Sequence, residues 1–159
     1  MFYTLLVSHG EFAPGLHTAV KMIAGDNPNV MSTGLKDGMG ADELAVNVAK
    51  LVEKITPEDK LVVLADLMGG SPLTTTMNVI AEKGLLNNTR AFAGMSLPMA
   101  LTVVLSGEAL DMDSLGDTIM EEAKARLAAG TLTEQPAAPV DQHHGRRLEL
   151  SAGRCAAVC

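Results

Sequence analysis

The sequence predicts a doubly wound α/β domain: a mainly parallel sheet with helices on both faces. Three observations carry this. The runs Tyr3–Val7 and Leu61–Ala65 are too short for helices and are apolar at every or nearly every position, as strands buried on both faces are. Between them Leu44, Val48, Leu51, Val52 and Ile55 recur at helical spacing. The same alternation of short apolar run and helical stripe continues to about residue 130 of the 159, which is the pattern of right-handed βαβ crossovers.

Taken in order, the first strand, Tyr3–Val7, is bounded by Ser8-His9-Gly10. Pro14 suits the first turn of a helix that runs to Ala24 and is closed by Gly25-Asp26-Asn27-Pro28. A weaker strand is expected over Val30–Leu35. The next helix carries the Leu44–Ile55 stripe and is expected to stop at Pro57. The third strand, Leu61–Ala65, runs into Asp66-Leu67-Met68-Gly69-Gly70-Ser71-Pro72. Ser71 is expected to cap a helix reaching Lys83, with proline at its first position losing no hydrogen bond. Arg90–Gly94 reads as a fourth strand, Leu97–Leu105 as a helix opened by Pro98. Leu115, Ile119, Met120, Ala123 and Leu127 mark a last helix stopped by Gly130.

Composition narrows the class. With 47% hydrophobic and 19% charged residues the chain has the make-up and size of one globular domain. No apolar run reaches the roughly 18 to 20 residues that cross a bilayer, and the N-terminus lacks the basic flank of a signal peptide, so a soluble, cytoplasmic protein is expected. A net charge of −7 and 3% aromatics speak against nucleic-acid binding, which needs a basic footprint and stacking surfaces. Character changes near Gln135. Residues 136–159 lack periodicity and carry +1, three arginines against Asp141 and Glu149, which leaves −8 on residues 1–135. This tail is expected to be a disordered linker or an appended extension, beyond a domain of residues 1–135. His143, His144, Cys155 and Cys159 are zinc-type ligands, but their spacing matches no common structural zinc site.

In an open α/β sheet the ligand crevice lies beyond the carboxyl ends of the strands, which directs attention to His9 and Asp66. If their strands are neighbours flanking the switch point, imidazole and carboxylate come within hydrogen-bonding distance. The third strand also leads into a glycine-rich turn, Gly69-Gly70-Ser71, whose amides and hydroxyl at a helix N-terminus suit an anion. Each feature alone has a plainer reading, as a polar loop histidine, a turn former or a tight connection; their joint placement favours chemistry. That chemistry is phosphoryl transfer through a phosphohistidine. One ring nitrogen of His9 would be the nucleophile, Asp66 would fix the tautomer, and Gly69, Gly70 and Ser71 would hold phosphate; the scheme uses no metal and no cofactor. No P-loop and no dinucleotide-binding glycine pattern is present. His17 reads as an ordinary surface helix residue and the ten methionines mainly as core filler, Met68 being placed to line the crevice.

These residues resemble the enzyme IIA domain of the mannose-type (mannose, fructose, sorbose) sugar phosphotransferase system. The resemblance covers residues 2 to 130 and rests on Ser8-His9-Gly10, Gly15, the Asp66–Pro72 segment and Leu97-Pro98-Met99. It implies that His9 is phosphorylated, that Asp66 orients it, and that Ser71 and the glycine turn surround the phosphate. It further implies a cytoplasmic homodimer that exchanges an antiparallel edge strand, for which Thr131-Leu132-Thr133 is the candidate. The implied donor is the small carrier HPr; the implied acceptor is an enzyme IIB, linked in turn to a membrane permease. The phosphotransfer subunit of dihydroxyacetone kinase is similar, but its loop typically reads D-L-G-S-A where Gly69-Gly70-Ser71-Pro72 stands here. IIA-like domains of transcription activators also share the pattern, and DNA-binding or ATPase modules would mark them. The contrasting expectation is a non-catalytic α/β module that uses the same crevice to hold an anion. Nothing in the chain bears on the identity of the sugar.

Overall fold

The computed structural model describes residues 1–127. Four strands, β1 (Phe2–His9), β2 (Val30–Leu35), β3 (Lys60–Ala65) and β4 (Thr89–Ala93), form one sheet in the order β2-β1-β3-β4, and every pairing is parallel. Five α-helices accompany them: α1 (Phe12–Ala24), α2 (Ala41–Leu51), α3 (Ser71–Glu82), α4 (Leu97–Ser106) and α5 (Met112–Ala125). A short 3₁₀ turn, Leu86–Asn88, precedes β4. The candidate exchanged strand at 131–133, the boundary at residue 135 and the tail with its His and Cys residues lie outside the described residues.

Handedness explains which helix covers which face. The chain steps from β1 outward to β2, then back past β1 to β3 and on to β4. Right-handed crossovers in opposite directions put α1 on one face and α2 with α3 on the other. The cores follow. Phe2, Leu6, Val62 and Leu64 pack with Leu16 and Val20 of α1, then with Met99 and Val103 of α4 and Leu115 and Ile119 of α5. Leu5, Val7, Leu61, Val63 and Ala65 pack with Leu44 and Val48 of α2 and with Leu73, Val79 and Ile80 of α3. Successive strand residues thus alternate between two buried layers, and this is why β1 and β3 read as continuous apolar runs.

Two local expectations are corrected, and a third, Pro14 in the first turn of α1, holds. The helix α2 ends at Leu51 rather than at Pro57, because a turn in which the Ile55 N–H donates to the Val52 carbonyl (3.1 Å) lets both side chains enter the core. Ser71 does not cap α3. Gly70 takes the cap position, Ser71 is the first helical residue, and Pro72 follows where its missing N–H costs nothing. The helix α1 starts at Phe12, placing Pro14 third, still within the turn whose amides have no intrahelical acceptor. Its start is capped from outside: the buried Ser8 hydroxyl accepts the Ala13 N–H at 2.7 Å.

Candidate functional site

The connection reverses between β1 and β3, which are direct neighbours, with Val7 beside Ala65 in register. This is the switch point, where the two crossovers leave in opposite directions and open a crevice above the strand ends. His9 is the last residue of β1, and Asp66 follows β3 immediately. The backbone of Asp66 is tied on both sides: its N–H donates to the Val7 carbonyl (3.3 Å), and its carbonyl accepts from Gly94 (3.2 Å). The carboxylate is therefore built on framework rather than on a free loop.

One carboxylate oxygen serves His9 twice. Asp66 Oδ2 accepts the His9 backbone N–H at 2.8 Å and lies 2.9 Å from the ring Nδ1. Burial alone would raise the Asp66 pKa; the His9 backbone N–H, then its side chain, outweigh this and hold the carboxyl below its usual value. An ionised carboxylate only accepts, so Nδ1 must carry the proton of a neutral ring. Nε2 then holds the lone pair. The His9 side chain is 47% exposed and that of Asp66 18%, an accessible imidazole on a largely enclosed carboxylate.

The turn after Asp66 closes the other side of the imidazole. Gly69 adopts a left-handed conformation (φ 72°), which turns the chain into α3. A methyl group on Gly70 would stand 2.9 Å from His9 Cε1, so the ring is packed directly against this backbone. The Gly70 N–H itself is directed back to the Leu67 carbonyl (3.3 Å). Of the amides at the start of α3, those of Ser71 and Leu73 are left without intrahelical acceptors, since Pro72 has none and Thr74 bonds to Gly70. The five residues His9, Asp66, Gly69, Gly70 and Ser71 thus come from two adjacent strand ends and one helix start. Phe12, Leu67 and Met68, apolar and 50 to 70% exposed, belong to the segments that follow His9 and Asp66.

Two features were not legible as site or core residues. Ser8 anchors α1, as described above; only the fold brings it to Ala13. His17 is not an ordinary surface residue: its Nδ1 lies 2.9 Å from the Ser32 hydroxyl of β2, in a groove of about 390 Å³. Burial, then the charge of Lys21, lower its pKa. Among the described residues no group of three or more His, Cys, Asp or Glu side chains could hold a metal ion, and no helix is long and apolar enough to cross a membrane.

A doubly wound α/β domain that pairs an exposed imidazole with an ionised carboxylate at its switch point defines a class of protein suited to group transfer at a histidine. Comparison with known proteins makes the class specific. Residues 3–120 match the family model described as the PTS system fructose IIA component. The sorbose-specific EIIA component of Klebsiella pneumoniae is 30% identical over 115 residues, 72% of this chain and 82% of that protein. The fructose-specific EIIA component of Bacillus subtilis is 27% identical over 115 residues, covering 72% and 77%. In fold, the mannose/sorbose-specific IIA subunit from Enterococcus faecalis superimposes with a TM-score of 0.71 at 22% identity, over 84% of this chain and 97% of that one. The chain belongs to the mannose-type (mannose, fructose, sorbose) family of EIIA components of the sugar phosphotransferase system.

Proposed function

We propose that this EIIA component is a phosphohistidine carrier, loaded by HPr on His9 Nε2 and unloaded by an enzyme IIB. The observation that carries the reading is the 2.9 Å contact between His9 Nδ1 and Asp66 Oδ2, which commits the ring to one tautomer and leaves Nε2 outward. In the forward step the Nε2 lone pair attacks the phosphorus of the donor's phosphohistidine. The donor N–P bond breaks, and its electron pair returns to the donor imidazole. The His9 ring gains positive charge as the new N–P bond forms, and Asp66 stabilises it through the Nδ1–H it already accepts. Transfer to IIB reverses these events. The phosphoryl oxygens would rest on the N-terminus of α3, where Ser71 offers an amide and a hydroxyl, Gly69 shapes the turn and Gly70 leaves room for the ring.

The exposed Phe12, Leu67 and Met68 give the crevice an apolar rim suited to a protein partner. The native form we propose is a cytoplasmic homodimer in contact with HPr and IIB, coupled only through IIB to a membrane permease. The named relatives suggest a keto- or aldohexose as the transported sugar, which this component would not touch. The test is intact-protein mass after incubation with phosphoenolpyruvate, enzyme I and HPr, alongside His9→Ala. The expected result is one acid-labile phosphate on the wild type and none on the variant. A folded wild-type chain that stays unmodified with active donors would favour an anion-binding module instead.

A further inference from the structure

We propose that Gly34, at the carboxyl end of β2, is a positioning residue for His9. The inference rests on the phosphohistidine reading, yet its physical core stands on geometry alone. In the β1–β2 register Gly34 lies opposite Ser8, and Leu35 opposite His9. Just past His9 the chain turns at Gly10, in a left-handed conformation (φ 56°), and crosses the end of β2. There the Gly10 N–H donates to the Leu35 carbonyl at 2.8 Å.

The Gly10 carbonyl sits directly on Gly34. A Cβ at Gly34 would lie 1.9 Å from Gly10 O, 3.1 Å from Gly10 C and 3.5 Å from Ser8 O. The first distance is far inside any van der Waals contact, and the atom met is backbone, so no side-chain rotation can relieve it. Gly34 lies outside the left-handed region, so alanine is tolerated by its own backbone and the whole effect falls on the neighbour. That Cβ collides with the carbonyl of the Gly10–Glu11 peptide, one residue past His9, and reaches ordinary contact with the carbonyl of the Ser8–His9 peptide that precedes it. Displacing Gly10 strains the Gly10–Leu35 bond and tilts the His9 peptide, whose N–H must reach Asp66 Oδ2 at 2.8 Å. Because the same oxygen holds Nδ1, tilting the peptide also loosens the ring. The bare Cα of Gly34 therefore sets how far His9 projects above the sheet and keeps its imidazole in register with Asp66.

The experiment compares Gly34→Ala with Gly84→Ala in the full chain. Gly84 has a left-handed conformation (φ 71°) with open space around it, in the turn after α3, so its substitution destabilises without touching the β1 turn. Two readouts are taken: the His9 ring ¹⁵N shifts by NMR, which need no phosphorylation, and the rate of phosphorylation by phospho-HPr. For Gly34→Ala we expect loss of the single Nδ1–H tautomer signature and a rate lower on the order of 10- to 100-fold. For Gly84→Ala we expect wild-type ring shifts and a rate within about twofold, despite a lower melting temperature. Wild-type ring shifts in a folded Gly34→Ala would overturn the proposal, whatever its rate. If that variant does not fold, Gly10→Ala strains the same turn without the collision, and unaltered ring shifts there would overturn it equally. Absence of any phosphorylation in the wild type would sink the phosphohistidine reading while leaving the tautomer comparison intact.

Discussion

A single oxygen of Asp66, Oδ2, receives both the backbone N–H and the ring Nδ1 of His9, at 2.8 and 2.9 Å. The second oxygen, Oδ1, is buried and has no hydrogen-bond partner among the described residues. Asp66→Asn can present its carbonyl oxygen in place of Oδ2 and retain both contacts, with the amide nitrogen in the Oδ1 position. Shape is kept while the negative charge is lost. We expect near-normal folding and phosphoryl transfer slower on the order of 10- to 100-fold in both directions, the range for losing one charge-assisted hydrogen bond in the transition state. Quench-flow transfer from phospho-HPr, and onward to IIB, measures this; unchanged rates would remove Asp66 from the orienting role.

Gly70 acts on His9 from the opposite side. Its backbone (φ −66°, ψ 154°) accommodates alanine without strain, so the cost of Gly70→Ala is local. The added methyl would stand 2.9 Å from His9 Cε1 and must push the ring off its Asp66 contact. The expected outcome is an unchanged melting temperature within about 2 °C, from a stability change below about 0.5 kcal/mol, with transfer slowed roughly tenfold or more. A larger rise in the apparent KM for HPr than fall in kcat would instead point to a docking role.

Much of this was legible in the sequence because the two buried faces of the sheet leave continuous apolar strands, and because His9 and Asp66 stand at strand ends, where adjacency follows from topology. The β1–β3 pairing turned two residues 57 apart in sequence into hydrogen-bonded partners. What escaped were contacts that depend on three-dimensional proximity rather than on local pattern. Gly34 looks like any strand glycine until Gly10 is placed on it, and Ser8 looks like part of a turn until α1 is docked. The stop of α2 is hidden from local pattern for a related reason: Val52 and Ile55 keep helical spacing with Leu44 and Val48, yet reach the same core through a tighter turn. Serine before proline is a strong start signal, but the extended Gly70 takes the cap position ahead of Ser71.

Acid titration is expected to destabilise the fold in stages. His17 has a lowered pKa, so the unfolded chain binds its proton more readily; its contribution is full above about pH 6.5 and is lost as pH falls through the lower folded value. Asp59 follows. The N-terminal ammonium at 2.6 Å, with the Thr56 N–H, lowers its pKa from 3.8 to about 2, so its contribution is present above pH 3.8 and is lost on the way down to about 2. Urea midpoints measured from pH 7.5 to 2.5 should fall over both intervals. His17→Gln should reduce the slope over the first interval, and Asp59→Asn that over the second, where Asp66 and Asp111, also held below the usual carboxylate value, continue to contribute. A His17→Gln chain with the wild-type slope between pH 7 and 5 would mean that another group governs that range.

Ser8 tests how far the site depends on the seating of α1. Its side chain is buried, and its hydroxyl accepts the Ala13 N–H at 2.7 Å, taking the place of a cap that Glu11, at the start of the helix, does not supply. Alanine would leave that amide without a partner in a region closed to water. The expected loss is about 1 to 3 kcal/mol, the cost of an unsatisfied buried donor, which a lower urea midpoint at unchanged m-value would report. Because α1 begins three residues after His9, phosphorylation should slow as well, and more at 37 °C than at 10 °C as the first turn frays. Equal stability of Ser8→Ala and the wild type would show that the Ala13 amide finds another acceptor, and that the hydroxyl does not hold the helix in place.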